Sequence, residues 1–161
     1  MKIEYHIITR AEIDGALRST FAEMLGRQKK VKGDLTKKAD RCKLLCVANV
    51  DGMAVAIGAI KVKTESDFDG KKAGVPQLSG EFDWELGYLY TEREYNGRGT
   101  GSNVARLLIE AYGKGNLMAS TEISANPAMV RILEKHGFRL FGKPWKSGIH
   151  SNCLGLFLRF E

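Results

Sequence analysis

Three glycines at alternate positions, Gly97, Gly99 and Gly101, separate a strand-like run, Trp84–Thr91, from a helix-like run, Thr100–Tyr112. A strand that enters a glycine turn and leaves it as a helix requires a fold that mixes α and β. Glycines in that turn remove the Cβ atoms that would hold a ligand away from the backbone. Successive N–H groups, together with the positive end of the following helix, then form an anion site suited to phosphates. Arg98 adds a mobile positive charge to the same turn. One helix-end charge interaction supplies only ~0.3–1 kcal/mol at an exposed site, so several N–H bonds have to act together. Two other phosphate loops do not fit. The chain has no G-x-x-x-x-G-K-[ST], and Gly97-x-Gly99-x-Gly101 is not G-x-G-x-x-G.

The rest of the chain reads as elements around this turn. Residues 2–9 alternate weakly, as a first strand does. Ala11–Gly26 has helical spacing, with Ile13, Leu17, Phe21 and Leu25 four apart. Lys43–Val50 and Met53–Lys63 flank Asp51-Gly52, a strong short-range hairpin signal. Residues 66–83 are polar and contain glycine, which suggests a connecting loop or an extended hairpin tip. Leu117–Ser124 reads as a strand. Asn126-Pro127 is a helix N-cap followed by proline at the first helical position, and that helix runs to His136 and stops at Gly137. Arg139–Lys143 and Cys153–Phe160 complete the chain as strands. There is no repeat and no linker, so a single mixed α/β domain over residues 1–161 is expected.

Composition narrows the function classes. At 43% hydrophobic and 27% charged residues the chain is of the globular rather than the disordered kind. No apolar run approaches the ~20 residues of a membrane helix, and residues 1–6 lack a secretory apolar core. A cytoplasmic protein without membrane association is expected. The cysteines Cys42, Cys46 and Cys153 are odd in number and spread out, which is no disulfide framework. Neither Cys42-x3-Cys46 nor His150-x2-Cys153 has a second ligand pair, so no metal is expected. Residues 27–43 carry eight basic side chains against Asp34 and Asp40, which accounts for the whole net charge of +6. No nucleic-acid motif accompanies them, and a solvated face is the favoured reading.

The strand, turn and helix at 85–102 are similar to motif A of the GNAT superfamily of acyl-CoA-dependent N-acetyltransferases, [Q/R]-x-x-G-x-[G/A] after a strand. Asn96-Gly97-Arg98-Gly99-Thr100-Gly101 matches it, except that Asn96 takes the Gln/Arg place. Asn126 to Phe138 resembles motif B, an N-capped helix that ends in Gly-Phe. The resemblance implies a mostly antiparallel central sheet flanked by helices, with a splayed strand pair at the cofactor site. It also implies acetyl-CoA as cofactor. Leu89, Tyr90 and Thr91 would pair with the pantetheine arm and offer an N–H to the developing oxyanion. Asn96, Gly97, Arg98, Gly99, Thr100, Gly101 and Ser102 would hold the pyrophosphate, and Asn126 matches an asparagine that often touches the cofactor. Leu133 stands where many members carry a tyrosine that protonates the departing thiolate. His136, one turn on, is the substitute candidate, with a packing role as its alternative.

Transfer to an amine needs a base, because an amine of pKa near ~10 is protonated at neutral pH. Glu85 is the candidate, since a catalytic glutamate holds the corresponding place in the histone-acetylating branch of the superfamily. Glu65, Asp67 and Asp69 alternate, and so do Glu81, Asp83 and Glu85. If both runs extend one hairpin, each set shares a strand face. Phe68, Phe82 and Trp84 would then point the other way. Facing carboxylates would attract a cation and raise the pKa of Glu85. Asp67, Asp83 and Glu85 are therefore the candidate acceptor residues, for a cationic amine on a small molecule or peptide. Two alternatives stand beside this enzyme: an acyl-CoA sensor without turnover, and a modifier docked through residues 27–43 on tRNA or ribosome. The sequence leaves open the acyl length, the acceptor and whether the chain forms a homodimer.

Overall fold

Asp51 and Gly52 both take positive φ, 49° and 79°, the backbone of a tight turn whose twist matches its flanking strands. Around that turn the computed structural model, which describes residues 2–148 and 152–161, pairs β2 (Cys42–Val50) with β3 (Met53–Val62) antiparallel. β1 (Glu4–Thr9) adds antiparallel to β2. The remaining strands are β4 (Trp84–Thr91), β5 (Leu117–Glu122), β6 (Arg139–Lys146) and β7 (Cys153–Arg159). The seven strands form one hydrogen-bonded order, β1-β2-β3-β4-β5-β7-β6. β4 pairs parallel with β5 through Glu85 and Met118, and β5–β7 and β6–β7 are antiparallel. With α1 (Gly15–Gln28), α2 (Thr100–Tyr112) and α3 (Pro127–Lys135) the fold is mixed α/β around a mostly antiparallel sheet.

The chain forms two compact units, each built from two stretches of sequence. Residues 1–61 and 86–113 make the first, residues 62–85 and 114–161 the second. In the first unit α1 starts later than its apolar spacing suggests. Asp14 caps it by accepting from the Leu17 N–H at 2.8 Å, and Arg10–Glu12 forms a separate 3-10 turn. Phe21, Met24 and Leu25 of α1 bury against Leu45, Val47 and Ile57 of the strands. The basic segment is ordered: Leu35–Arg41 is a 3-10 helix whose Ala39 is buried, with Val31 and Leu35 packed on the same core. α2 lies close to β3, where a Cβ on Gly58 would sit 2.6–2.9 Å from Leu89, Val104 and Leu108.

In the second unit Phe68, Phe82, Met118, Trp145, Leu156 and Leu158 form the core. Residues 66–83 depart from the expected hairpin extension. Glu65–Phe68 and Pro76–Glu81 are 3-10 turns, so the alternation of carboxylates there is not a strand face. Turn geometry sends the neighbours Asp67 and Phe68 both inward, while Glu65, Asp69, Glu81 and Asp83 stay exposed. Phe68 and Phe82 do share a side, with ring centroids 5.8 Å apart. β6 runs three residues beyond its expected end, past a bend at Gly142 (φ 70°), where the Ala73 carbonyl would lie 2.1 Å from a Cβ. No helix among the described residues is long and apolar enough to cross a membrane.

Candidate active site

β4 ends at Thr91, a 3-10 turn spans Arg93–Tyr95, and the glycine turn delivers the chain into α2 at Thr100. Gly97 and Gly99 have φ of 76° and 77°, a region where an L side chain is strained. Gly99 is the N-cap of α2, so no side chain caps the first N–H groups of that helix. A Cβ at Gly97 or Gly99 would meet nothing within 4 Å beyond its immediate chain neighbours, so the turn is open to the rest of the protein at both positions. Thr100 is buried, and its Oγ1 has no hydrogen-bond partner among the described residues. Arg98 lies over the Tyr95 ring at 5.5 Å and is exposed. Asn96, Ser102 and Gly101 complete the turn, with Gly101 facing the Thr91 hydroxyl.

The strand that feeds this turn is bent. Tyr88 is buried at φ 55°, a sparsely populated conformation for an aromatic residue. The end of α1 fastens to the strand just beyond the bend. Gln28 Nε2 donates to the Leu89 carbonyl at 2.6 Å, and Arg27 Nη1 donates to Glu92 at 2.7 Å. A carbonyl can only accept, so the Gln28 amide must present its nitrogen there. Its oxygen is left buried and unpartnered among the described residues.

In the second unit the carboxylates sort by burial. Glu85 is buried, and its Oε1 accepts from both the N–H and the hydroxyl of Thr64, at 2.8 and 2.7 Å. Asp67 is also buried; it accepts from Lys72 Nζ at 3.2 Å and from Ser120. Burial first, and then the charge of Glu85, push the Asp67 carboxyl above its ordinary range. Two buried carboxylates therefore interact, while Asp83 sits exposed just before β4, its carbonyl accepting from the Lys63 N–H. On α3, Asn126 caps the helix by accepting from the Met129 N–H at 3.3 Å. Leu133 is fully buried and has no group to donate a proton. His136 is the C-cap; its Nε2 is buried with no partner among the described residues. The thiols of Cys42 and Cys46 are buried and pushed up to about 12, and Cys153 is exposed. His150 lies outside the described residues.

The model of the GNAT acetyltransferase family matches residues 10–138, from the turn after β1 through the end of α3. The chain belongs to this family. Solved structures resemble this GNAT protein along nearly its whole length. ElaA of Escherichia coli shares 9% identity at a TM-score of 0.71, covering 98% of this chain and 99% of its own. The ribosomal-protein-S18-alanine N-acetyltransferase of Escherichia coli shares 12% at 0.64, covering 97% and 93%. The yncA structure of Salmonella typhimurium, with its cofactor acetyl-CoA, shares 15% at 0.62, covering 98% and 93%. At these identities the likeness concerns the fold. No curated protein sequence matches the chain.

Acetyl-CoA is the cofactor of the family, and the glycine turn of this GNAT protein fits an anionic diphosphate. Gly97 and Gly99 bring no side chain to the turn, no side chain caps the α2 N-terminus, and the Thr100 hydroxyl has no partner among the described residues. Sequence reasoning missed Thr64, Ser120, Lys72 and Gln28. Each acts through a contact 5 to 61 residues away in sequence, or, for Ser120, through a strand on the far side of α2 in chain order, and no local pattern marks such residues.

Proposed function

We propose that this GNAT protein moves the acetyl group of acetyl-CoA onto a cationic primary amine by direct attack, with Glu85 as general base. The observation that carries this reading is the environment of Glu85: a buried carboxylate fixed by two Thr64 bonds and interacting with a second buried carboxylate, Asp67. Only a neutral amine attacks, so a proton has to leave the acceptor, and a fixed carboxylate on β4 can take it. Asp67 and Asp83 supply negative charge for a cationic acceptor.

Acetyl-CoA supplies an acyl thioester. Asn96 to Ser102 would hold its diphosphate, and the backbone of Leu89, Tyr90 and Thr91 its pantetheine arm, with Asn126 as a further contact. A thiol has pKa near ~8.5, so its departure as thiolate near neutral pH is tolerable without a tyrosine at Leu133. The buried, unpartnered Nε2 of His136 supports that residue as the proton donor.

The test is thiol release from acetyl-CoA against polyamines, aminoglycosides, amino acids, and N-terminal and lysine peptides. Turnover with cationic amines is expected. Binding of acetyl-CoA without turnover on any of them would favour an acyl-CoA sensor, a reading that the aliphatic Leu133 supports.

A further inference from the structure

The bend in β4 needs an external hold, and α1 supplies it. Tyr88 keeps a φ of 55°, which a residue other than glycine retains only where its surroundings over-determine it. α1 and its core meet the strand at successive residues. Phe21 stands edge-on to the Tyr88 ring, with centroids 5.8 Å apart, and Tyr90 packs on the core that Phe21, Met24 and Leu25 share with the strands. Gln28 Nε2 donates to the Leu89 carbonyl at 2.6 Å, and Arg27 Nη1 to Glu92 at 2.7 Å. Gln28 differs from the others in holding the backbone of β4. It is the last residue of α1, and the helix closes directly behind it: Lys29 takes φ 62°, and its N–H donates to the Leu25 carbonyl at 3.3 Å. Turned outward, the Gln28 amide would pair both its ends with water. Held inward, its Oε1 has no partner among the described residues, and the Leu89 carbonyl is what the side chain gains in return.

The direction of that carbonyl gives the contact its use. Successive residues of an extended strand turn their N–H and C=O groups to opposite edges. The Glu92 N–H goes to the Val55 carbonyl of β3 at 2.8 Å, so the groups of Leu89 and Thr91 face the other edge. An arm running along that edge would find an acceptor in Leu89 and a donor in Thr91. Resting on the placement of the pantetheine arm proposed above, we propose that Gln28 is a positioning residue for that arm: by fixing the Leu89 peptide it keeps the outer edge of the bent strand ready for the arm's amides. A carbonyl oxygen has two lone pairs, so Leu89 accepts from Gln28 and keeps one for an N–H of the arm. Gln28 makes no bond to the arm itself and acts through Leu89. Without it, the Leu89 peptide has to be ordered when the ligand binds, and that cost is subtracted from the affinity.

Calorimetry on the full chain compares two ligands, on the wild type and on Gln28→Leu. One is coenzyme A. The other is 3′-phospho-ADP, its nucleotide half, which keeps the diphosphate and lacks the arm. Gln28→Leu removes the amide donor and the unpartnered Oε1 together and keeps a good helix former, so its urea midpoint should stay close to that of the wild type. Coenzyme A should bind the variant about fivefold or more weaker, the order of what it costs to fix the backbone of one residue. 3′-Phospho-ADP should bind the two proteins equally. In ¹⁵N NMR spectra the Gln28 side-chain amide is the pair missing from the variant. It should shift when coenzyme A is added, stay protected from solvent exchange, and not respond to 3′-phospho-ADP. Equal affinity of the two proteins for coenzyme A, or an equal loss for both ligands, overturns the inference. So does tighter binding by the variant, or release of the amide pair to solvent by coenzyme A, because Gln28 would then compete with the arm. Each of these results leaves the proposed function standing as long as the wild type binds coenzyme A; if it does not, both fall.

Discussion

Glu85→Gln separates the base from the scaffold, because the amide can keep what holds Glu85 in place. Its carbonyl can accept both Thr64 bonds that Oε1 now accepts, at 2.8 and 2.7 Å, so the turn at Glu65–Phe68 keeps its anchor. Stability should change by no more than about 1 kcal/mol, the net worth of one hydrogen bond. The chemistry should change far more. A positioned base contributes about 10²- to 10⁴-fold. Without one, the rate depends on the neutral fraction of the acceptor, about one molecule in 2,500 at pH 7 for an amine of pKa near 10.4. That fraction rises about tenfold per pH unit until the amine pKa is reached. Thiol release followed from pH 7 to 9 with a lysine-type acceptor should therefore show a loss of at least about 100-fold at pH 7 that narrows as pH rises. Full activity of the variant at pH 7, or a loss that stays constant across the range, would refute Glu85 as base. Glu85→Ala, which removes the acceptor of both Thr64 bonds, should in contrast cost about 1–3 kcal/mol of stability.

Gly58→Ala places a methyl 2.6–2.9 Å from side-chain methyls of Leu89, Val104 and Leu108, so these side chains between β3, β4 and α2 must repack. Chemical denaturation should show a loss of about 1–3 kcal/mol, and coenzyme A affinity should fall with it. Cys42 and Cys46, with pKa pushed up to about 12, are thiols at pH 8, whereas Cys153 is exposed. A thiol reagent at pH 8 should react with Cys153 in the folded protein and reach the other two only on unfolding. Asp67 has a raised folded pKa, so the folded state binds its proton more tightly than the unfolded state does. Its contribution to stability therefore falls as pH rises from the ordinary carboxylate value through the raised one. Urea midpoints should show Asp67→Asn gaining on the wild type over that rise, and a constant difference would remove the assigned shift.

Much of this was legible in the sequence where a local rule decides the backbone. Asp51-Gly52 turns because both residues tolerate positive φ, and Asn126-Pro127 opens α3 because the Asn126 side chain caps it. The strand, glycine turn and helix over Trp84–Tyr112 follow the same logic. Residues 66–83 were not legible, because a period-two pattern of carboxylates also results when short turns bury some and expose others. Asp67 is buried because Lys72 and Ser120 meet it, which is a matter of tertiary contact. No propensity marks Tyr88 for positive φ, and the Gln28 contact at Leu89 joins residues 61 apart. At Gly142 the close approach of Ala73 explains a glycine within β6.

The central claim is that the amides around Gly99 receive the diphosphate of the cofactor. Isothermal calorimetry with coenzyme A, on the wild type and on Gly99→Ala, tests it most directly. At φ 77° an alanine costs about 1–2 kcal/mol of loop strain, and its methyl enters the open face of the turn. The account predicts saturable heat for the wild type and at least a tenfold weaker association for the variant, about 1.4 kcal/mol. Absence of binding to the wild-type protein, or equal affinity in the two, would contradict it.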